Sequence, residues 1–352
     1  MFFDGFADTV LEKHLYEVPL DGDGGPRKIT SASGWHETIM ASSGAGYIDY
    51  FSSSRVPPRV SLHAADGTQL TWLAENPMDE SHPYFPFMDR HQAPEIGTLE
   101  AKDGQTLYYS LLKPFDFDED QHYPVIVYTY GGPGAQVVRR AWDRNTVFQQ
   151  YLQQQGYIVF SLDNRGSTNR GTAFEFPIHK QMSVVEVRDQ KRGVEHLKTL
   201  PFVDPERIGI YGWSYGGYMT LMAMMQAPEA FKAGISGAPV TDWSLYDTHY
   251  TERYMSTPSA NPGGYEVSNV LSHVEQLSGP LLIVHGMADD NVLLNHSTLL
   301  FRAMQKKGIP FDSMMYPSET HGFRDPDIRL HFAELMMRFF NQHLVSSRGA
   351  PE

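Results

Sequence analysis

The apolar positions of this chain follow two different patterns. Over the first hundred residues they form short alternating runs. His14-Leu-Tyr-Glu-Val-Pro-Leu and Arg27-Lys-Ile-Thr flank a Gly-rich turn at Gly22 to Gly25; Tyr47-Ile-Asp-Tyr-Phe-Ser, Arg59-Val-Ser-Leu-His-Ala and, past Gly67, Leu70-Thr-Trp-Leu follow. Alternation of period two between glycine turns predicts a β-hairpin that continues into a meander. From about Pro94 the pattern changes. Glu95-Ile-Gly-Thr-Leu-Glu and Gln105-Thr-Leu-Tyr-Tyr-Ser-Leu-Leu still alternate, as antiparallel strands at a sheet edge do. Tyr123-Pro-Val-Ile-Val-Tyr-Thr-Tyr130 and Tyr157-Ile-Val-Phe-Ser-Leu are nearly unbroken apolar runs, as expected of strands buried on both faces. The Gln-rich helix between them ends at Gly156, in the place of a glycine just past a helix C-terminus. A helix over Arg188 to Leu200 and strands at Ile208 to Tyr211, Phe231 to Ile235 and Leu281 to Val284 continue the series. Strand–helix alternation of this kind predicts an α/β fold, a mostly parallel sheet covered on both faces.

The N-terminal strands amount to one to one-and-a-half blades of a β-propeller. Propellers have typically four to eight blades, and a lone blade has no neighbours to bury its faces. The expectation is therefore that the chain is the C-terminal part of a longer protein, or is accompanied by the rest. The alternative is a small β-layer capping the second domain. Residues 1–93 are read as the last propeller strands and 94–352 as the α/β domain.

Composition adds exclusions. A length of 352 residues suits two domains, and 41% hydrophobic residues supply a large core. A net charge of −14 argues against nucleic-acid partners, whose phosphates need a basic footprint. No apolar run has the length of a membrane-spanning helix. With no cysteine there is no disulfide framework, and the compartment stays open between periplasm and cytoplasm. The opening Met-Phe-Phe-Asp-Gly-Phe lacks the basic and long apolar regions of a signal peptide. No metal or cofactor is called for.

The candidate chemistry lies in Ile208-Gly-Ile-Tyr-Gly-Trp-Ser-Tyr-Gly-Gly217. An apolar run leads into Gly212-Trp-Ser-Tyr-Gly216, and a helical segment follows to about Ala227. This is the strand–turn–helix setting of a G-x-S-x-G nucleophile elbow, with Ser214 exposed at its tip. A serine hydroxyl needs a base to take its proton, and that histidine needs a carboxylate to orient it. In α/β-hydrolases the order is Ser, Asp, His. Pro280-Leu-Leu-Ile-Val-His-Gly-Met-Ala-Asp-Asp-Asn291 puts Asp289 and Asp290 just past a strand end, and spacing alone does not separate them. The strand Phe311 to Pro317 runs into Ser318-Glu-Thr-His321, which places His321 at the same edge. His285 and His296 are read as structural. One oxyanion donor is expected from the backbone N–H of Tyr215. The glycines of Tyr130-Gly-Gly-Pro133 occupy the place where many hydrolases supply a second.

Several motifs resemble those of the dipeptidyl peptidase IV branch of the prolyl oligopeptidase family. They are Gly212-Trp-Ser-Tyr-Gly-Gly217, Ala288-Asp-Asp-Asn-Val292, Thr320-His-Gly322 and the long Tyr246-Asp-Thr-His-Tyr-Thr-Glu-Arg-Tyr-Met255. The resemblance runs from about Tyr123 to Leu344, with a weaker likeness to a last propeller blade before it. It implies an α/β-hydrolase preceded by a partial propeller, with a triad of Ser214, Asp289 and His321. It assigns the Tyr130 hydroxyl as an oxyanion donor beside the Tyr215 N–H. It implies a proline-ring pocket of Val240, Trp243, Tyr246, Tyr250 and Val292 walled by Tyr215. Asn291 would bind the substrate carbonyl next to the free amine. Glu252, Arg253 and the Asp163-Asn-Arg-Gly166 loop are read as structural. The implied activity is release of X-Pro or X-Ala dipeptides from peptide N-termini, by a homodimer whose ammonium-binding glutamates lie upstream. A related endopeptidase or acylaminoacyl-type peptidase is the nearer alternative, against which the Tyr246 to Met255 motif argues. A non-catalytic binding member of the fold is the other class.

Overall fold

The computed structural model describes residues 1–21 and 24–345. The chain forms two compact units, residues 1–95 with 138–155, and residues 96–137 with 156–352. The predicted turn at Gly22 to Gly25 lies partly outside the described residues.

The first unit holds two antiparallel sheets. β1 (Phe2–Gly5), β2 (His14–Glu17) and β3 (Arg27–Lys28) form one, in that order. β4 (Trp35–Met40), β5 (Gly46–Ser53), β6 (Val56–Ala64) and β7 (Gln69–Ala74) form a four-stranded meander, the form of one propeller blade. The predicted hairpin and meander are present; β1 and β4 were not read from the sequence. In β4, buried His36 and partly buried Thr38 point inward while Ile39 is exposed, the reverse of the usual pattern. Buried His36 lies 2.7 Å from the Asp49 carboxylate, so the polar positions are satisfied inside. The Gln-rich helix α1 (Thr146–Gln154) groups with this unit, whereas the strand–helix alternation implied the unit of the strands that flank it in sequence. Polar and aromatic contacts tie the segment to this unit: the Gln150 and Gln153 side chains donate to the Gln92 and Arg90 carbonyls, Arg140 pairs with Glu12 at 2.6 Å, and Trp142 stacks on His91 at 4.6 Å. Gly156 follows the helix at φ 87°, as a glycine past a C-terminus should.

The second unit is built on one eight-stranded sheet. Its strands are β8 (Glu95–Glu100), β9 (Thr106–Leu112), β10 (Tyr123–Tyr128), β11 (Ile158–Leu162), β12 (Val203–Trp213), β13 (Ala233–Gly237), β14 (Leu281–Gly286) and β15 (Asp312–Tyr316). Their order is β15-β14-β13-β12-β10-β11-β9-β8. The pairs from β11 across to β15 are parallel, and β9 joins β11 antiparallel. Every residue of β11, β13 and β14 is buried, which is why they read as continuous apolar runs. Four further helices matter to the site: α2 (Val184–Leu197), α3 (Tyr215–Gln226), α4 (Thr248–Met255) and α5 (Asn295–Lys306). α3 is buried on nearly every side, as its uniformly apolar sequence requires. α2 starts four residues earlier than the sequence suggested. Glu186 accepts from the Ser183 N–H at 2.9 Å, and this cap begins the helix.

Candidate active site

Strand β12 stops at Trp213, and α3 starts at Tyr215, so Ser214 alone makes the corner. It does so at φ 61°, ψ −119°, with its N–H donating to the Gly237 carbonyl at 2.8 Å. The turn closes only over small residues. A Cβ on Gly216 would run into the Thr129 carbonyl oxygen, and one on Gly212 into the backbone of Gly216.

His321 and Asp289 come to this corner from the neighbouring strand ends. His321 Nε2 lies 2.9 Å from Ser214 Oγ, and Nδ1 lies 2.8 Å from Asp289 Oδ2. The Asp289 side chain is 0% exposed and that of His321 22%, so the carboxylate is sealed while the imidazole reaches solvent. Asp290 is exposed, and the choice between the two aspartates falls to Asp289 by geometry. Asp289 Oδ1 accepts the Asn291 and Val292 N–H groups at 3.0 and 2.9 Å. Burial pushes its pKa up, but the hydrogen bonds from His285 and His321 and the backbone outweigh it and hold the carboxyl well below its usual range. The loop of His321 is pinned as well, since Trp213 Nε1 donates to the His321 carbonyl at 2.7 Å. His285 sits buried 3.2 Å from Asp289 and 2.7 Å from Ser297 Oγ, and buried His296 braces Thr241; both are structural, as read.

Beside Ser214 the aromatic residues gather. Tyr215, Trp243, Val240 and Val292 are buried in the main core, and Tyr130, Tyr246 and Tyr250 pack against it. Tyr215 lies 5.4 Å from Trp243 and 6.0 Å from Tyr130 by ring centroids, and Trp243 stacks on Tyr250 at 6.1 Å. Burial, with the phenols of Tyr130, Tyr254 and Tyr246 nearby, pushes the Tyr250 hydroxyl far up, so it remains a neutral donor. Tyr246 donates to Asn291 Oδ1 at 2.8 Å, which leaves the amide nitrogen of Asn291 as its free donor group. Arg253 lies over the Tyr254 ring at 5.6 Å, and the Glu252 backbone carbonyl accepts the Ser256 N–H.

The profile of the prolyl oligopeptidase family matches residues 144–347, more than half of the chain. The chain belongs to that family. It is 35% identical to human dipeptidyl peptidase 8 over 363 aligned residues, covering 99% of this chain and 40% of that protein. The mouse protein of the same name is 34% identical over the same length. A crystal structure of Porphyromonas gingivalis dipeptidyl peptidase 4 superposes with a TM-score of 0.89 at 33% identity, over 97% of this chain and 48% of that one. The chain thus spans about two fifths of the length of the curated relatives. The family membership and this superposition agree with an α/β-hydrolase preceded by propeller-like sheets. No helix among the described residues is long and apolar enough to cross a membrane.

Two further groups touch the site: Asn164, from the loop read as structural, and Glu186, which the sequence reasoning passed over. Asn164 donates to the Gly131 carbonyl at 2.8 Å, bracing the loop after Tyr130, and itself accepts from Gln190 at 2.9 Å. Glu186 accepts from the Tyr215 hydroxyl at 2.8 Å. The spacing Ser183-x-x-Glu186 marks a helix start, but nothing local points to a tyrosine far along the chain.

Proposed function

We propose that this chain carries the catalytic machinery of a serine peptidase that releases X-Pro or X-Ala dipeptides from peptide N-termini. The observation that supports it best is the pair of contacts at 2.9 and 2.8 Å linking Ser214, His321 and Asp289 in line. Ser214 Oγ attacks the scissile carbonyl carbon while His321 Nε2 takes the hydroxyl proton. The new oxyanion is held by the Tyr215 N–H, the first of α3, and by the Tyr130 hydroxyl. The positive end of α3 faces the same charge. His321 then gives its proton to the leaving amine, and the dipeptide stays as an ester on Ser214. Water, activated by His321, hydrolyses the ester. Asp289, sealed and ionised, keeps Nδ1 protonated and stabilises the imidazolium. Flat rings of Trp243, Tyr246 and Tyr250, with Val240, Val292 and the Tyr215 ring, suit the apolar, rigid proline side chain. Asn291 donates to the carbonyl next to the substrate's free amine.

The test is labelling with a fluorophosphonate, which reacts only with an activated serine, alongside turnover of Gly-Pro p-nitroanilide. Ser214→Ala should abolish labelling and lower kcat by on the order of 10⁴ to 10⁶, because triad members act as a unit. Turnover close to that of the unmutated protein would end the serine-peptidase reading.

A further inference from the structure

We infer that Glu186 is a positioning residue, which from the first turn of α2 fixes the phenol of Tyr215 and through it the oxyanion N–H and the wall that meets the proline ring. The inference rests on the peptidase reading above. In a helix-start cap of this type the glutamate needs only its backbone partner. Here Glu186 is completely buried, and a single oxygen, Oε1, takes both the Ser183 N–H and the Tyr215 hydroxyl. Oε2 has no protein partner among the described residues. The cap alone does not account for a carboxyl placed in this way. Burial pushes its pKa up to about 7, helped by the Asp189 charge one turn on, so ionisation at neutral pH is costly. The charge of Asp189 is itself taken by Arg165 at 2.6 Å, which leaves Tyr215 as the side-chain partner of Glu186.

Tyr215 is worth holding. Its ring packs against Gly132, where a Cβ would collide with it, and against Tyr218 and Trp243 at 5.3 and 5.4 Å. Aromatic packing fixes the plane of a ring but lets it slide within that plane. A hydrogen bond at the phenol stops the slide and so sets the backbone at the start of α3. The same helix face carries Gln190, four residues on, which reaches Asn164 and the loop after Tyr130. Both proposed oxyanion donors are therefore braced from α2.

The experiment compares Glu186→Leu, Glu186→Gln, Tyr215→Phe and the Glu186→Leu/Tyr215→Phe double variant in the full chain. Readouts are kcat and KM for Gly-Pro and Gly-Ala p-nitroanilides. Glu186→Leu should lower kcat on the proline substrate by on the order of 10-fold to 100-fold, as small misplacements of catalytic groups do. It should also shrink the Pro/Ala ratio of kcat/KM, which a mere loss of stability leaves alone. Tyr215→Phe should reproduce both effects, and the double variant should be no worse than either single one. Glu186→Gln keeps the acceptor and should recover to within about threefold. A folded Glu186→Leu with kcat and Pro/Ala ratio within about threefold of the unmutated protein, or additive losses in the double variant, would overturn the assignment. Should Glu186→Leu fail to fold, an unchanged kcat and ratio in Tyr215→Phe overturns it equally. An unmutated protein that neither labels nor cleaves sinks the peptidase reading and this one together; an active protein with silent variants sinks this one alone.

Discussion

Ser214 sits at φ 61° and ψ −119°, a conformation that side-chain-bearing residues rarely adopt and that costs on the order of 1–3 kcal/mol. The surrounding glycines and the bond to the Gly237 carbonyl enforce it, and the hydroxyl is thereby aimed at His321. Tyr130 offers the sharper test of the oxyanion assignment. Tyr130→Phe removes one oxygen from a ring that otherwise stays packed. If the hydroxyl meets the oxyanion, kcat should fall by roughly 10² to 10³ with little change in KM. Unchanged kcat with a lower Tm would refute the role. The Ser–Asp–His set was legible because each member ends a strand, and strand ends in a parallel sheet share one edge. The choice of Asp289 over Asp290 was not legible from spacing, because it depends on which carboxylate the turn buries. Glu186 was invisible for a related reason: a glutamate on a helix is ordinarily solvated, and its partner lies 29 positions away.

Helix α2 is the element that most repays attention to its buried polar face. Glu186, Asp189 and Gln190 all point inward, to Tyr215, Arg165 and Asn164. The helix predicted over Arg188 to Leu200 starts at Val184, and its inner face mixes buried Val185 and Val187 with these three buried polar side chains, so apolar periodicity does not mark it. The same failure hid β4, whose inward positions include His36 and Thr38. Elements with apolar inner faces, such as β11 and β14, were read without difficulty. The Glu186 carboxyl also gives α2 a pH signature. Its pKa is about 7 in the fold against 4.5 as the ordinary value. A raised acid stabilises fully below its unfolded pKa, and that contribution is lost as pH rises through the folded one. Between pH 5 and 8 the loss should be about 2 to 3 kcal/mol. Glu186→Gln has no such proton to lose. Urea unfolding of both proteins across that range should show the glutamine variant gaining on the parent by this amount; a constant difference would contradict it.

At the scale of the whole molecule, the relatives are more than twice as long as this chain, and the proposed function needs an ammonium-binding group that we propose lies outside residues 1–352. Remote contacts of that kind raise kcat as well as affinity, because they fix the register of the scissile bond. Residues 1–352 expressed alone should therefore hydrolyse Gly-Pro and N-acetyl-Gly-Pro p-nitroanilides with similar, low kcat/KM. A preference for the free amine above roughly tenfold would place the amine site inside these residues. The alternation of periods, two and then strand–helix, made both units recognisable in the sequence. Their interleaving was not, because contacts between residues far apart in sequence hold residues 138–155 with the first unit: glutamine side chains bonded to the Gln92 and Arg90 carbonyls, and Trp142 stacked on His91. That interleaving has a consequence in time. A ribosome delivers residues 1–95 first, yet the unit they belong to lacks Arg140 and α1 until strands β8, β9 and β10 of the other unit have been made. Glu12, which Ser33 and His14 already contact, receives its Arg140 partner only after more than a hundred further residues of synthesis. The first unit is therefore complete only after part of the second unit's sheet has been made, and neither unit can be completed by simple order of emergence.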